Sequence, residues 1–90
     1  SLHDALPISY SKVQDARSLA SVIGEDELSE TDRLYLRFGS AFEEQFLSQG
    51  IREDRTIDET LDLGWKLLSI LPRSELDRLS DEEIAAHLDN

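Results

Sequence analysis

Acids are the only residues dense enough in this chain to suggest chemistry. Asp26, Glu27 and Glu30 lie close enough together to be imagined as calcium ligands. The spacing of a helix–loop–helix calcium site, D-x-[DN]-x-[DN]-G-x5-E, is absent, so no such loop is predicted. Glu43 with Glu44, and Glu82 with Glu83, are paired carboxylates of the kind used in general acid–base work. Adjacent positions on a helix do not face each other, so these pairs read as solvated faces. Serines are plentiful, but His3 and His87 are the only imidazoles, and neither supports a Ser-His-Asp arrangement. With no cysteine there is no thiol nucleophile, disulfide framework or thiolate metal site. Neither glycine pattern that cradles phosphates occurs. The sequence therefore predicts no catalytic residue, no cofactor-binding residue and no metal site within this stretch.

A binding surface is the better expectation. Residues 24–32 read Gly-Glu-Asp-Glu-Leu-Ser-Glu-Thr-Asp, an acidic elbow between two amphipathic runs. Leu28 is expected to be exposed among the acids. Glu25, Asp26, Glu27, Leu28, Ser29 and Glu30 are the candidate contact residues, suited by charge complementarity to a basic or amphipathic partner helix. The whole chain of 90 residues carries 20 acids against 9 lysines and arginines, a net charge of −11. Nucleic acid is not an expected partner, because affinity for phosphates comes from clustered cations. The same balance argues against docking on an anionic membrane surface. What remains is a well-solvated surface, a basic protein partner or a salt-rich cytoplasm. No apolar run approaches a membrane span, and no signal-peptide pattern opens the chain.

The elements that must position the elbow are helical. Val13, Ala16, Ala20 and Ile23 recur at steps of three and four, with Leu19 widening the stripe, which predicts a helix over residues 10–23. Gly24 suits the left-handed position that closes it. Ser29 is placed to cap the next helix, with Glu30 and Asp32 at the positive end of its dipole. Leu34, Phe38, Phe42 and Phe46 then recur every four residues, and Gln49-Gly50 closes that helix. All the phenylalanines lie on this one stripe, which reads as a core seam. A polar loop follows over residues 51–55. Thr56 and Glu59 form a capping box for a third helix over residues 57–71. Ile57, Leu61, Trp65 and Leu68 line one face of it, and Leu63, Leu67 and Ile70 another, which predicts a helix sandwiched in the bundle. Gly64 in its interior predicts close approach of a neighbour. Pro72 starts a short helix over residues 73–79. Ser80 and Glu83 cap a last one, with Ile84 and Leu88 inward and His87 on the surface. The expected fold is all-α: a small bundle of three main helices plus one or two short C-terminal ones.

Residues 1–8, Ser-Leu-His-Asp-Ala-Leu-Pro-Ile, resemble one translated frame of a common short-read sequencing adaptor. They are expected to be foreign to the domain, which then comprises residues 9–90 as a fragment of a longer protein.

From about Ser9 to its end the sequence resembles the C-terminal domain of rotary ATPase head subunits, closely so over Ser18 to Asp32. Asp26-Glu27-Leu28-Ser29-Glu30 matches the start of the acidic DELSEED motif of F-type β subunits, but Thr31 departs from it. The closer resemblance is to the B subunit of V/A-type ATPases. It is carried by Asp32-Arg33-Leu34-Tyr35-Leu36-Arg37-Phe38, Ala41-Phe42-Glu43, Phe46 with Gln49-Gly50, and Arg55-Thr56-Ile57. Most specific is the run from Glu59 through Gly64-Trp65-Lys66 to Leu71-Pro72-Arg73, followed by Glu75-Leu76.

The resemblance implies a non-catalytic subunit that alternates with catalytic A subunits in a hetero-oligomeric head. Its C-terminal domain would face the central rotor stalk. The parent complex would couple ATP synthesis or hydrolysis to proton or sodium movement. It would hold ATP or ADP with Mg at the A/B interfaces and none in this stretch. It would be cytoplasmic and peripheral to the membrane, with no direct insertion. The alternatives are the matching domain of a catalytic F-type β subunit, or a standalone acidic interaction module. The short chain and the two apolar faces of its third helix predict marginal stability in isolation.

Overall fold

The structure is a computed structural model that describes residues 2–48, 56–76 and 81–87. Among them there is no strand. Four helices run in the order α1 (Leu2–Ile23), α2 (Glu30–Phe42), α3 (Ile57–Leu68) and α4 (Asp81–His87). A 3-10 turn, Glu25–Glu27, joins α1 to α2, a π-helical segment, Glu43–Ser48, continues α2, and a second 3-10 turn, Arg73–Glu75, follows α3. The expected all-α bundle is thus present. The predicted close of the second helix at Gly50, the loop over residues 51–55, the helix end at Leu79, the Ser80 cap and Leu88 lie outside the described residues.

α1 begins eight residues earlier than predicted and runs through Pro7, which is exposed. Leu2, Ala5, Ser9, Val13 and Ala16 follow one another at helical steps and are all buried, so the apolar stripe extends back to the start of the helix. Its other end leaves the core. Ile23 and Leu19 are 42% and 41% exposed and Val22 is 80% exposed. Ile23, on the predicted apolar stripe, stays exposed because no neighbour among the described residues covers it.

α2 starts at the predicted cap: the Asp32 N–H donates to Ser29 Oγ at 3.1 Å. Phe38 and Phe42 are buried, and Leu34 and Phe46 pack against them half-buried, so the four-residue stripe is the core seam expected of it. The rings stack in series, Phe38 on Phe42 at 5.7 Å and Phe42 on Phe46 at 5.1 Å, with Tyr10 of α1 tilted against Phe42 at 5.1 Å. Gly39 allows α1 and α2 to cross closely, since a Cβ there would overlap Val13 Cγ1.

The capping box of α3 is complete. The Glu59 N–H donates to Thr56 Oγ1 at 3.1 Å, and the Thr56 N–H donates to Glu59 Oε1 at 2.9 Å. The predicted sandwich holds only for its second half. Gly64, Trp65, Leu67 and Leu68 are buried, but Ile57 is 79% and Leu61 45% exposed. The first turns of α3 meet no neighbour, among the described residues, that covers their apolar face. Gly64 has a close neighbour in α1, though within the octapeptide expected to be foreign: a Cβ there would stand 3.1 Å from Leu2 and 3.3 Å from Leu6. The helix ends at Leu68, three residues before the predicted end, and tighter turn hydrogen bonds carry the chain on to a buried Leu71. Of the predicted segment after Pro72, the 3-10 turn Arg73–Glu75 forms and Leu76 is buried. In α4, Ile84 is buried as expected.

Candidate functional site

The elbow is held from four sides. Gly24 closes α1 with its N–H on the Ala20 carbonyl at 2.8 Å. Its φ is +88° as a left-handed closure requires, but its ψ of 150° lies in a region that only glycine occupies without strain. The chain then winds one 3-10 turn, with the Glu27 N–H on the Gly24 carbonyl and the Leu28 N–H on the Glu25 carbonyl, both at 3.2 Å. Arg33 reaches back from α2 and donates from Nη2 to the Asp26 carbonyl at 2.8 Å. Ser29 caps α2.

Leu28 corrects an expectation. It is 6% exposed and turns inward, apart from the main core cluster. The acids around it cost energy to desolvate and face water, and the lone aliphatic side chain among them is the one group that gains from burial. Leu28 is therefore the anchor of the elbow. Glu25, Asp26, Glu27, Ser29 and Glu30 are all exposed. The structure thus brings five of the six candidate residues to the surface of one short turn and withdraws the sixth. Among the described residues, no group of three or more acids or histidines is arranged to hold a metal ion.

Behind the elbow, two polar ties lock α1 to the rest of the bundle. Arg17 grips Glu43 with both guanidinium nitrogens, Nη1 to Oε2 at 2.7 Å and Nη2 to Oε1 at 2.8 Å. Tyr10 donates its hydroxyl to the same Oε2 at 2.6 Å. The Arg17 pair, then the Tyr10 hydroxyl, hold the Glu43 carboxyl at a pKa of about 2, against an ordinary value of 4.5. The same network raises the Tyr10 phenol, first through its hydrogen bond to Glu43. Farther along, buried Tyr35 donates to Glu75 Oε1 at 2.7 Å, and Lys12 Nζ stands 3.6 Å from that oxygen. These partners lie 26 to 40 residues apart in pairs such as Arg17–Glu43 and Tyr35–Glu75, so no local sequence signal announces them. The buried position of Tyr35, one residue after Leu34 on the apolar stripe, is the one clue in the pattern.

His87 is exposed, as expected, but it also lies flat against Trp65, with ring centroids 4.3 Å apart and planes 6° from parallel. The stack ties α4 to α3. An open groove of 630 Å³ runs between α1 and α2 beside the elbow, with Arg17, Ser21, Glu25, Arg37 and Ser40 on its walls. No helix among the described residues is long and apolar enough to cross a membrane. What this arrangement offers is a stiff, acid-covered turn.

Comparison with known proteins places these residues. The family described as the C-terminal domain of V and A type ATP synthase matches residues 1–88. The V-type ATP synthase beta chain of Halothermothrix orenii is 64% identical over 75 residues, 83% of this chain and 16% of that protein. The V-type ATP synthase beta chain 2 of Clostridium tetani is 60% identical over 79 residues, 88% of this chain and 17% of the relative. The B subunit of the A-type ATP synthase of Sulfurisphaera tokodaii is 51% identical over 89 residues, 99% of this chain and 19% of its own length. The chain thus spans less than a fifth of the length of these curated relatives.

Proposed function

The chain belongs to the family of C-terminal domains of V- and A-type ATP synthases, and on that premise we propose that it is the C-terminal part of a non-catalytic B subunit, whose elbow bears on the central rotor stalk. In this reading it is a stator element within a cytoplasmic head, peripheral to the membrane, alongside catalytic A subunits. ATP or ADP with Mg is bound at A/B interfaces, outside this stretch. The parent complex couples ATP synthesis or hydrolysis to the movement of protons or sodium.

The observation that supports this reading best is the elbow itself. Glu25, Asp26, Glu27 and Glu30 stand exposed on a turn fixed by Gly24, Leu28, Arg33 and Ser29. A rotor needs something stiff to push against, and these four fixings make the turn move with α1 and α2. The Arg17–Glu43 and Tyr35–Glu75 ties pass that stiffness into the bundle.

Replacing Asp26, Glu27 and Glu30 together with alanine in the intact complex tests the role. The expected result is weaker rotor binding or looser coupling between hydrolysis and ion movement. Unchanged torque, coupling and rotor binding would reject a charge-based contact. The companion change Leu28→Ala loosens the turn while keeping every charge, and so separates stiffness from charge.

A further inference from the structure

α4 is held to the bundle at two points on one face. Ile84 is buried in the core, and His87, three residues on, lies flat on the indole of Trp65. The ring planes are 6° apart and the centroids 4.3 Å apart, which sets the imidazole against the electron-rich face of the indole. Trp65 is buried, while His87 is exposed to water. The imidazole can therefore gain or lose a proton without α4 leaving α3. A neutral imidazole there makes an aromatic contact with no net charge. An imidazolium in the same place is a cation held against the ring quadrupole, well within the 6 Å over which that attraction acts.

We propose that the His87–Trp65 stack is a proton-sensitive clasp, which fastens α4 to α3 more firmly when His87 carries a proton. Imidazole is the side chain that changes charge between pH 8 and 5, so docking should strengthen as pH falls through that range and weaken as it rises. The charged groups around the stack do not reverse this sign. In the pocket that His87 and Trp65 line together, α3 contributes Asp62, which favours the imidazolium, and Lys66, which opposes it. α4 itself opens with Asp81, Glu82 and Glu83, the last of them four residues before His87 in sequence. His87 also closes α4, at the helix end where a cation is favoured. The window lies above the one in which Glu43 titrates, so the two acid effects separate. The clasp rests on neither the elbow nor the family reading.

Trp65 is the only tryptophan of the chain, so its fluorescence reports the stack in the full 90 residues. An imidazolium against an indole quenches that emission. The parent chain should lose Trp65 emission between pH 8 and 5. His87→Gln should abolish the step, and His3→Gln, at the only other imidazole, should keep it. Urea melts at the two pH values read the strength of the clasp. His87→Phe keeps a flat ring and removes the charge. Relative to it, the folding equilibrium constant of the parent should rise roughly two- to fivefold from pH 8 to pH 5. The double change Asp62→Asn with Glu83→Gln should keep most of that rise. An emission step that survives His87→Gln overturns the proposal. So does a parent whose pH dependence matches that of His87→Phe or runs opposite to the expected sign. Loss of the rise in the double variant also overturns it, because the effect would then belong to ion pairing and not to the indole face.

Discussion

Replacing Gly39 with alanine puts the closest contact of the bundle under test. A Cβ at Gly39 would overlap Val13 Cγ1 and stand 3.2 Å from both Val13 Cγ2 and Arg17 Nη2. Val13 is wholly buried and has no open space to move into. Arg17 Nη2 holds Glu43 Oε1, so displacing it loosens the tie between α1 and the π-helical segment. Alanine gains about 1 kcal/mol over glycine in a helix interior. Overpacking a close contact costs roughly 1–3 kcal/mol, with the loosened tie adding to it. The net loss is about 1–2 kcal/mol, or roughly 4–16 °C in melting temperature for a domain of this size. The starting point is itself modest, and the chain is expected to melt below about 65 °C. Val13→Ala removes both Cγ atoms that Gly39→Ala would strike. Alone it destabilises, because it empties a filled site. In its background Gly39→Ala should change sign and stabilise by up to about 1 kcal/mol, the propensity gain less the cost of the remaining 3.2 Å approach to Arg17 Nη2. Thermal and urea melts followed by far-UV circular dichroism on the four proteins measure this cycle. A higher melting temperature for Gly39→Ala than for the parent chain, or two changes that add within about 0.5 kcal/mol, would refute the clash with Val13.

Three further outcomes are expected. The Glu43 carboxyl is held at about 2 when folded against 4.5 in its ordinary state, a depressed value, so its contribution is complete above pH 4.5 and fades as pH falls toward 2. Its side chain is 37% exposed, and solvent screening leaves about 1 kcal/mol of the full shift. Glu43→Gln should remove that part of the acid dependence, and identical slopes for the two proteins between those pH values would contradict it. Gly24→Ala should cost roughly 1–3 kcal/mol by backbone strain alone, because nothing lies within 4 Å of the added methyl; a melt unchanged from the parent refutes this. The DNA encoding residues 1–8 should read as contiguous adaptor bases, and codons unrelated to an adaptor would return those residues to the domain.

The sequence alone determined whatever is decided within a turn of helix. Ser29 and the Thr56–Glu59 box mark helix starts because a side-chain oxygen satisfies a backbone N–H only three residues away. Gly24 marks the break because a positive φ is a property of one residue. The Phe38–Phe42 seam follows from helical periodicity, and the motif around Gly64-Trp65 carried the family. Tertiary structure decided the rest. An amphipathic stripe states which way a side chain would point, but not whether a neighbour exists to cover it. Ile23, Ile57 and Leu61 sit on such stripes and are exposed, because nothing among the described residues covers them. Leu28, set among acids, is buried by the same rule read in reverse. The ties Arg17–Glu43 and Tyr35–Glu75, and the fit of Gly39 on Val13, join residues 26 to 40 positions apart. Such contacts depend on how whole helices cross, and a crossing is fixed only when all the side chains at it are packed at once.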